Sequence, residues 1–179
     1  CFHDGGGEGT KHDGGVARNA LEFNSDGGRV QNCTVDSTGI ASVGGSGGGS
    51  AYKAINAASC HNGWIVNVKV EDSDQLGIDI AANDVVVIGC DVRAADGVGI
   101  QAGGINTRLI GNRIRNVTGV GLNVTSGGDG MTATGNIIQQ SGTIDTDAEA
   151  CLFVGNKVDG SITDNSGSSI EANNEETAF

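Results

Sequence analysis

Apolar residues along this chain fall in short alternating runs of a few positions, and the runs are closed by Gly, Asn or Asp. The runs superpose on one another. Val30 to Val35, Ile65 to Val70, Val87 to Val92, Leu109 to Ile114, Ala133 to Ile138 and Phe153 to Val158 share one pattern. In each, an apolar residue is followed three positions on by Cys33, Val68, Cys90, Asn112, Asn136 or Asn156, and two further on by Val35, Val70, Val92, Ile114, Ile138 or Val158. The last set advances by 35, 22, 22, 24 and 20 residues. Between copies lies another short strand, at Leu21-Glu22-Phe23, Ile55-Asn56-Ala57, Ile78-Asp79-Ile80, Ile100-Gln101-Ala102, Leu122-Asn123-Val124 and Ile144-Asp145-Thr146. Gly precedes three of these strands, at Gly77, Gly99 and Gly121.

Three alternating strands in roughly 22 residues are too short for a helical repeat and too regular for a sandwich. A solenoid buries every inward residue, because each coil stacks on the last at about 4.8 Å, the hydrogen-bonding distance between strands. The pattern therefore predicts an all-β chain: a right-handed, single-stranded parallel β-helix of about six coils with three short strands per coil. Residues 20–160 form the helix, with an inserted loop at 36–53; residues 1–19 read as a Gly-rich arm or irregular first coil, and 161–179 as a terminal coil or polar tail.

The Gly-Asn-x-Ile turn (Gly111-Asn112-Arg113-Ile114, Gly135-Asn136-Ile137-Ile138, Gly155-Asn156-Lys157-Val158) and the Gly-Ile-x-Ile strand (Gly77 to Ile80) resemble the coil signature of the pectate lyase-like β-helix superfamily. The resemblance covers residues 20–160 and implies a fold, not one activity. The superfamily includes polysaccharide lyases, hydrolases and epimerases as well as phage tailspikes and adhesins. It places Asn112, Asn136 and Asn156 at a tight turn, where Asn tolerates the left-handed conformation and its amide bonds the next Asn up the stack.

Composition narrows the function classes. The 179 residues include 32 Gly and no Pro, and formal net charge is −12. Ten Lys and Arg against 22 Asp and Glu argue against a nucleic-acid partner, because phosphates must be met by a basic face. No apolar run is long enough to span a membrane as a helix. Cys33 and Cys90 share a column two coils apart, about 9 to 10 Å by strand spacing, beyond the reach of a disulfide, so free thiols are expected. Five Cys give no disulfide framework and no zinc-type spacing. His3 and His12 lie near Asp4, Glu8 and Asp13, in a stretch so rich in Gly that an arm is the better reading than a metal cluster. No cofactor is expected, and calcium has no clear motif.

Two constellations carry candidate chemistry. Outward positions of the first sheet form the column Glu22, Asn56, Asp79, Gln101, Asn123, Asp145. In the family this face and its bordering loops hold the saccharide groove. Glu22 and Asp79 are two coils apart, about 9 to 10 Å between backbones, which suits the acid and base of an inverting glycosidase. The chain spends 20 residues between Val35 and Ile55 where later coils spend 8, and the insertion ends in Tyr52-Lys53. Tyr52 there is suited to stack on a sugar ring and Lys53 to pair with a uronate. A β-helix exposes polar residues at alternate positions anyway, so the same column also reads as ordinary surface. The second constellation is Arg93, Arg113 and Arg115 on the third sheet, with Arg108 on the second: a grip for an anionic glycan, or, with Asp91 and Glu71 on adjoining coils, a set of cross-coil ion pairs.

The family's hydrolase, epimerase and lyase motifs find no clear match, which weighs against enzymatic activity. The expected function is a non-catalytic extracellular, cell-surface or virion β-helix that recognises polysaccharide as a spike or adhesin, or serves as a structural module. The alternative is a polysaccharide lyase, hydrolase or epimerase with its groove on the first sheet. Trp64 shares an outward column with Arg29, Val86, Arg108, Thr132 and Leu152, an apolar stripe that a homo-oligomer, a trimer among the options, would bury.

Overall fold

Val, Ile and Thr alternating with polar residues favour extended backbone, and the absence of Pro leaves every residue after the first with an N–H for a neighbouring strand. The computed structural model describes residues 2–4, 21–22, 25–36, 53–71, 73, 75–93 and 95–176. Among these, every regular element is a strand. In chain order they begin with β1 (Phe2–Asp4), β2 (Leu21–Glu22), β3 (Arg29–Gln31), β4 (Thr34–Asp36), β5 (Lys53–Ala57), β6 (Trp64–Val66) and β7 (Lys69–Glu71). There follow β8 (Leu76–Ile80), β9 (Val86–Ile88), β10 (Asp91–Arg93), β11 (Val98–Ala102), β12 (Arg108–Ile110), β13 (Arg113–Arg115) and β14 (Leu122–Val124). The last six are β15 (Thr132–Thr134), β16 (Ile137–Thr146), β17 (Leu152–Val154), β18 (Lys157–Asp164), β19 (Ile170–Ala172) and β20 (Glu175–Glu176).

Each strand pairs with its counterpart one repeat away, so the chain winds as a parallel β-solenoid of about five turns, slightly fewer than the periodicity predicts. The second sheet runs β1-β3-β6-β9-β12-β15-β17-β19. Only β1 is antiparallel, laid along β3 with Phe2 beside Gln31. The first sheet, β2-β5-β8-β11-β14-β16, and the third, β4-β7-β10-β13-β16, are not separate as expected. They merge where β16 runs unbroken from Ile137 to Thr146. Ile138 and Ile144 stand six residues apart where Ile114 and Leu122 stand eight apart, so too little chain remains for a corner, and an irregularity between Ile138 and Gly142 absorbs the bend.

Inward residues stack like on like. Val30, Ile65, Val87, Leu109, Ala133 and Phe153 form one buried column, and Val35, Val70, Val92, Ile114, Ile138 and Val158 another. Full burial of such a side chain is worth about 1.5 to 3 kcal/mol, so a regular repeat compounds into one continuous core. The Gly of the Gly-Ile-x-Ile strand is demanded by this closeness: a Cβ on Gly77 would stand 2.5 Å from Gly99 O and 2.5 Å from Val92 Cγ1.

At the second turn the left-handed residue is not the ladder Asn, as expected, but the one before it. Asn32, Asn67, Gly89, Gly111, Gly135, Gly155 and Asn173 have φ between 51° and 63°. That kink frees Asn112, Asn136 and Asn156 to point inward. Asn136 Oδ1 accepts from the backbone N–H and the Nδ2 of Asn112, at 2.9 and 3.0 Å, and Asn136 Nδ2 donates to Leu109 O and Asn156 Oδ1. The ladder begins at the N–H of Cys90 and continues to Asn174, a rung the repeat alignment missed. A buried amide in this arrangement spends its donors and acceptor on the levels above and below.

Candidate functional site

The outward column of the first sheet stacks one residue per level. Glu22 pairs in register with Asn56, Asn56 with Asp79, Asp79 with Gln101, Gln101 with Asn123 and Asn123 with Asp145. Glu22 is thus two levels from Asp79, with Asn56 between. The backbone of Glu22 lies in β2; its side chain, Tyr52 and the insertion at 37–52 fall outside the described residues. Burial is uneven along the column: Asn56 and Asp79 are 7% and 5% exposed, whereas Gln101, Asn123 and Asp145 are half-buried.

Lys53 opens β5 and lies against Asp79 on the next level. Its Nζ forms an ion pair with Asp79 Oδ2, and Gln101 Nε2 donates to Asp79 Oδ1 at 3.1 Å. Both oxygens of the carboxylate are therefore engaged. Asn56 Oδ1, one level before Asp79, is buried and has no hydrogen-bond partner among the described residues. An acceptor left in this state costs about 1 to 3 kcal/mol, and a donor from outside the chain would relieve it. The cluster sets a buried, unpaired amide acceptor beside a balanced ion pair. This is chemistry for holding hydroxyls or amides; proton transfer by Asp79 would first have to break its contacts with Lys53 and Gln101.

The arginines are mostly spent on neighbours. Asp91 stacks beside Arg113, but its carboxylate turns diagonally to Arg115, with Arg115 Nη2 at 2.7 Å from Oδ2, and to Arg93 at 3.2 Å. Arg93 also faces Glu71 at 3.8 Å, and Arg113 donates to Gln139 Oε1 at 2.9 Å. Burial opposes ionisation of Asp91, yet the hydrogen bonds and charge of Arg115 and Arg93 outweigh it and hold the carboxyl below its ordinary value.

The second sheet presents two outward columns. One is Arg29, Trp64, Val86, Arg108, Thr132, Leu152 and Ile170; the other is Gln31, Val66, Ile88, Ile110, Thr134, Val154 and Ala172. From β3 to β19 neither contains an acidic residue, although Asp and Glu number 22 in the chain and β1 sets Asp4 in register with Arg29; Trp64, Ile110 and Ile170 are 42%, 37% and 64% exposed. The apolar stripe is thus twice as wide as the single column legible around Trp64.

A further polar stack at the corner between the first and second sheets went unnoticed in the repeat. Asp26, His61, Asn83 and Asp129 each accept a backbone N–H from the next level, those of His61, Asn83, Ile105 and Glu149. Its four members are of three residue types, and adjacent levels from Asp26 to Asn83 share none, so no regular letter marks it. Cys33, Cys60, Cys90 and Cys151 are free, and burial pushes the Cys90 thiol up to about 11. Among the described residues no group of three or more His, Cys, Asp or Glu side chains could hold a metal ion, and no helix is long and apolar enough to cross a membrane.

No family model, curated protein or solved structure matches the chain.

Proposed function

We propose that the protein is a non-catalytic β-solenoid that recognises a saccharide on the outward face of its first sheet, around Asn56, Lys53, Asp79 and Gln101. This reading keeps the resemblance to the tailspike and adhesin branch of the pectate lyase-like superfamily, and with it an extracellular, cell-surface or virion setting. The observation that carries it is Asn56 Oδ1, buried and, among the described residues, without a partner beside the Lys53–Asp79 pair. Sugar hydroxyls donate and accept within a few ångströms of each other, and this cluster offers both functions at one place. The two-column apolar face of the second sheet supports an oligomer or a partner domain as its cover.

The test is a glycan array probed with wild type and with Asn56→Leu, followed by incubation of each bound glycan with wild type. Wild type binds, Asn56→Leu loses roughly ten-fold or more in affinity, as expected for a buried hydrogen bond, and no shortened or unsaturated product accumulates. A blank array for wild type overturns saccharide recognition. Product formation abolished by Glu22→Gln or Asp79→Asn would establish the enzyme in its place.

A further inference from the structure

Charge on the first-sheet face is closed within the chain. Among the described residues Lys53 is the only Lys or Arg in the strands of that sheet, β2, β5, β8, β11, β14 and β16. Its Nζ is spent on Asp79 Oδ2, Gln101 holds Oδ1 at 3.1 Å, and Asp79 is buried on this outward face. A ligand anion that drew Lys53 away would leave a buried carboxylate against one neutral amide. Breaking a buried pair in this way costs more than the new, more exposed contact returns.

The surroundings supply no second cation. On the next two levels the residues in register with Lys53 are Leu76 and then Val98, so the row beside the polar column turns apolar rather than basic. The turns that border the sheet between β5 and β16 include Asp84, Asp96, Asp129 and Asp147 and, among the described residues, no Lys or Arg. The stretch 37–52 that leads into β5 contains no charged residue. The polar column itself adds Glu22 and Asp145. A uronate or a sulfated sugar approaching this face therefore meets a field of its own sign.

The unspent hydrogen-bonding capacity has the same preference. Asn56 Oδ1, without a partner among the described residues, is an acceptor. The oxygens of a carboxylate or a sulfate only accept, whereas a hydroxyl or an amide N–H donates. What distinguishes an acidic sugar from its neutral counterpart thus finds no complement here, and what the two share does.

Resting on saccharide recognition at this face, we propose that the glycan it takes is uncharged, built of neutral hexose or N-acetylhexosamine units, and that Asp79 sets this specificity by holding Lys53. Asp79 acts as a positioning residue. It neutralises the one cation of the sheet that would otherwise collect uronates, and it keeps the Lys53 stem against the level that carries Asn56.

Titration calorimetry on the whole protein tests the proposal. The probes are oligomers of glucose, galactose and mannose, each beside the uronate oligomer of the same linkage and length, together with oligomers of N-acetylglucosamine. Wild type should bind a neutral oligomer roughly ten-fold or more tighter than any of the uronates. That affinity should stay within about two-fold between roughly 20 and 200 mM NaCl, because no ion pair forms with the ligand. Asp79→Asn, which frees Lys53, should narrow the preference by about five-fold through a gain in uronate binding that weakens with salt. Uronate binding by wild type as tight as neutral binding, or affinity that falls as salt rises, overturns the proposal and leaves saccharide recognition standing. No binding to any oligomer overturns both. A preference unmoved in Asp79→Asn with wild-type circular dichroism overturns the role of Asp79, and Asp79→Ser is read in its place where the Asn variant does not fold.

Discussion

Two stacked polar columns traverse this solenoid, one inside and one outside, and they treat their hydrogen bonds differently. The inner Asn ladder repeats one residue type from Asn112 to Asn174, and each rung satisfies the next. The outer column of the first sheet is mixed, Asn56, Asp79, Gln101, Asn123, and among the described residues of the column only Asp79 and Gln101 bond to each other across levels. Identical side chains one level apart present the same donor and acceptor to each other indefinitely; unlike ones leave remainders, and the remainder here is Asn56 Oδ1. Of these two columns the uniform one holds the fold, and the mixed one has capacity left for something else.

The sharpest break in that contrast is Asn136→Leu. It orphans the buried N–H of Asn112 and the carbonyl of Leu109, so a loss of about 3 kcal/mol is expected, read as a lowered urea midpoint. Next comes Lys53→Met, which leaves the Asp79 carboxylate with only Gln101; because Lys53 keeps partial contact with water the cost should be about 2 kcal/mol, and adding Asp79→Asn should restore most of it. A third test moves to the half-buried ion pairs of the third sheet. Arg115→Gln should cost about 1 kcal/mol at neutral pH.

That third variant also has a pH signature. A carboxyl held below its ordinary value when folded lends stability that is complete above its unfolded pKa, about 3.9, and lost as pH falls through the folded value. The cost of Arg115→Gln should therefore be complete above about pH 4 and shrink as pH falls below it, the stability curves of variant and wild type converging in acid. The smallest effect belongs to Asn123→Leu, within about 0.5 kcal/mol, since Asn123 is only half-buried and has no ladder to break. A cost equal to that of Asn136→Leu would erase the distinction between the columns.

Much of the fold was legible because its unit is short and repeats: positions some 22 residues apart must meet when one period governs the whole chain. The register of Glu22, Asn56 and Asp79 followed from that alone. Less legible was anything that depends on where a side chain turns. Asp91 stacks beside Arg113 yet bonds Arg115, because the longer reach to a diagonal neighbour gives the guanidinium fork two contacts. The corner acceptors Asp26, His61, Asn83 and Asp129 share a geometry across three residue types, so no single repeated letter displays them.

The amino-acid sequence by itself determined the winding, the interior columns, the free cysteines at Cys33 and Cys90 and the Asn stack, since these follow from periodicity and from strand spacing. Only the tertiary structure decided that the first and third sheets merge at β16, that the turn residue precedes each ladder Asn, and that Asn56 is buried without a partner. Periodicity states which residues are neighbours. Whether neighbouring atoms satisfy one another depends on distances and angles of tenths of an ångström and a few degrees, and those are set by the packing of the whole level.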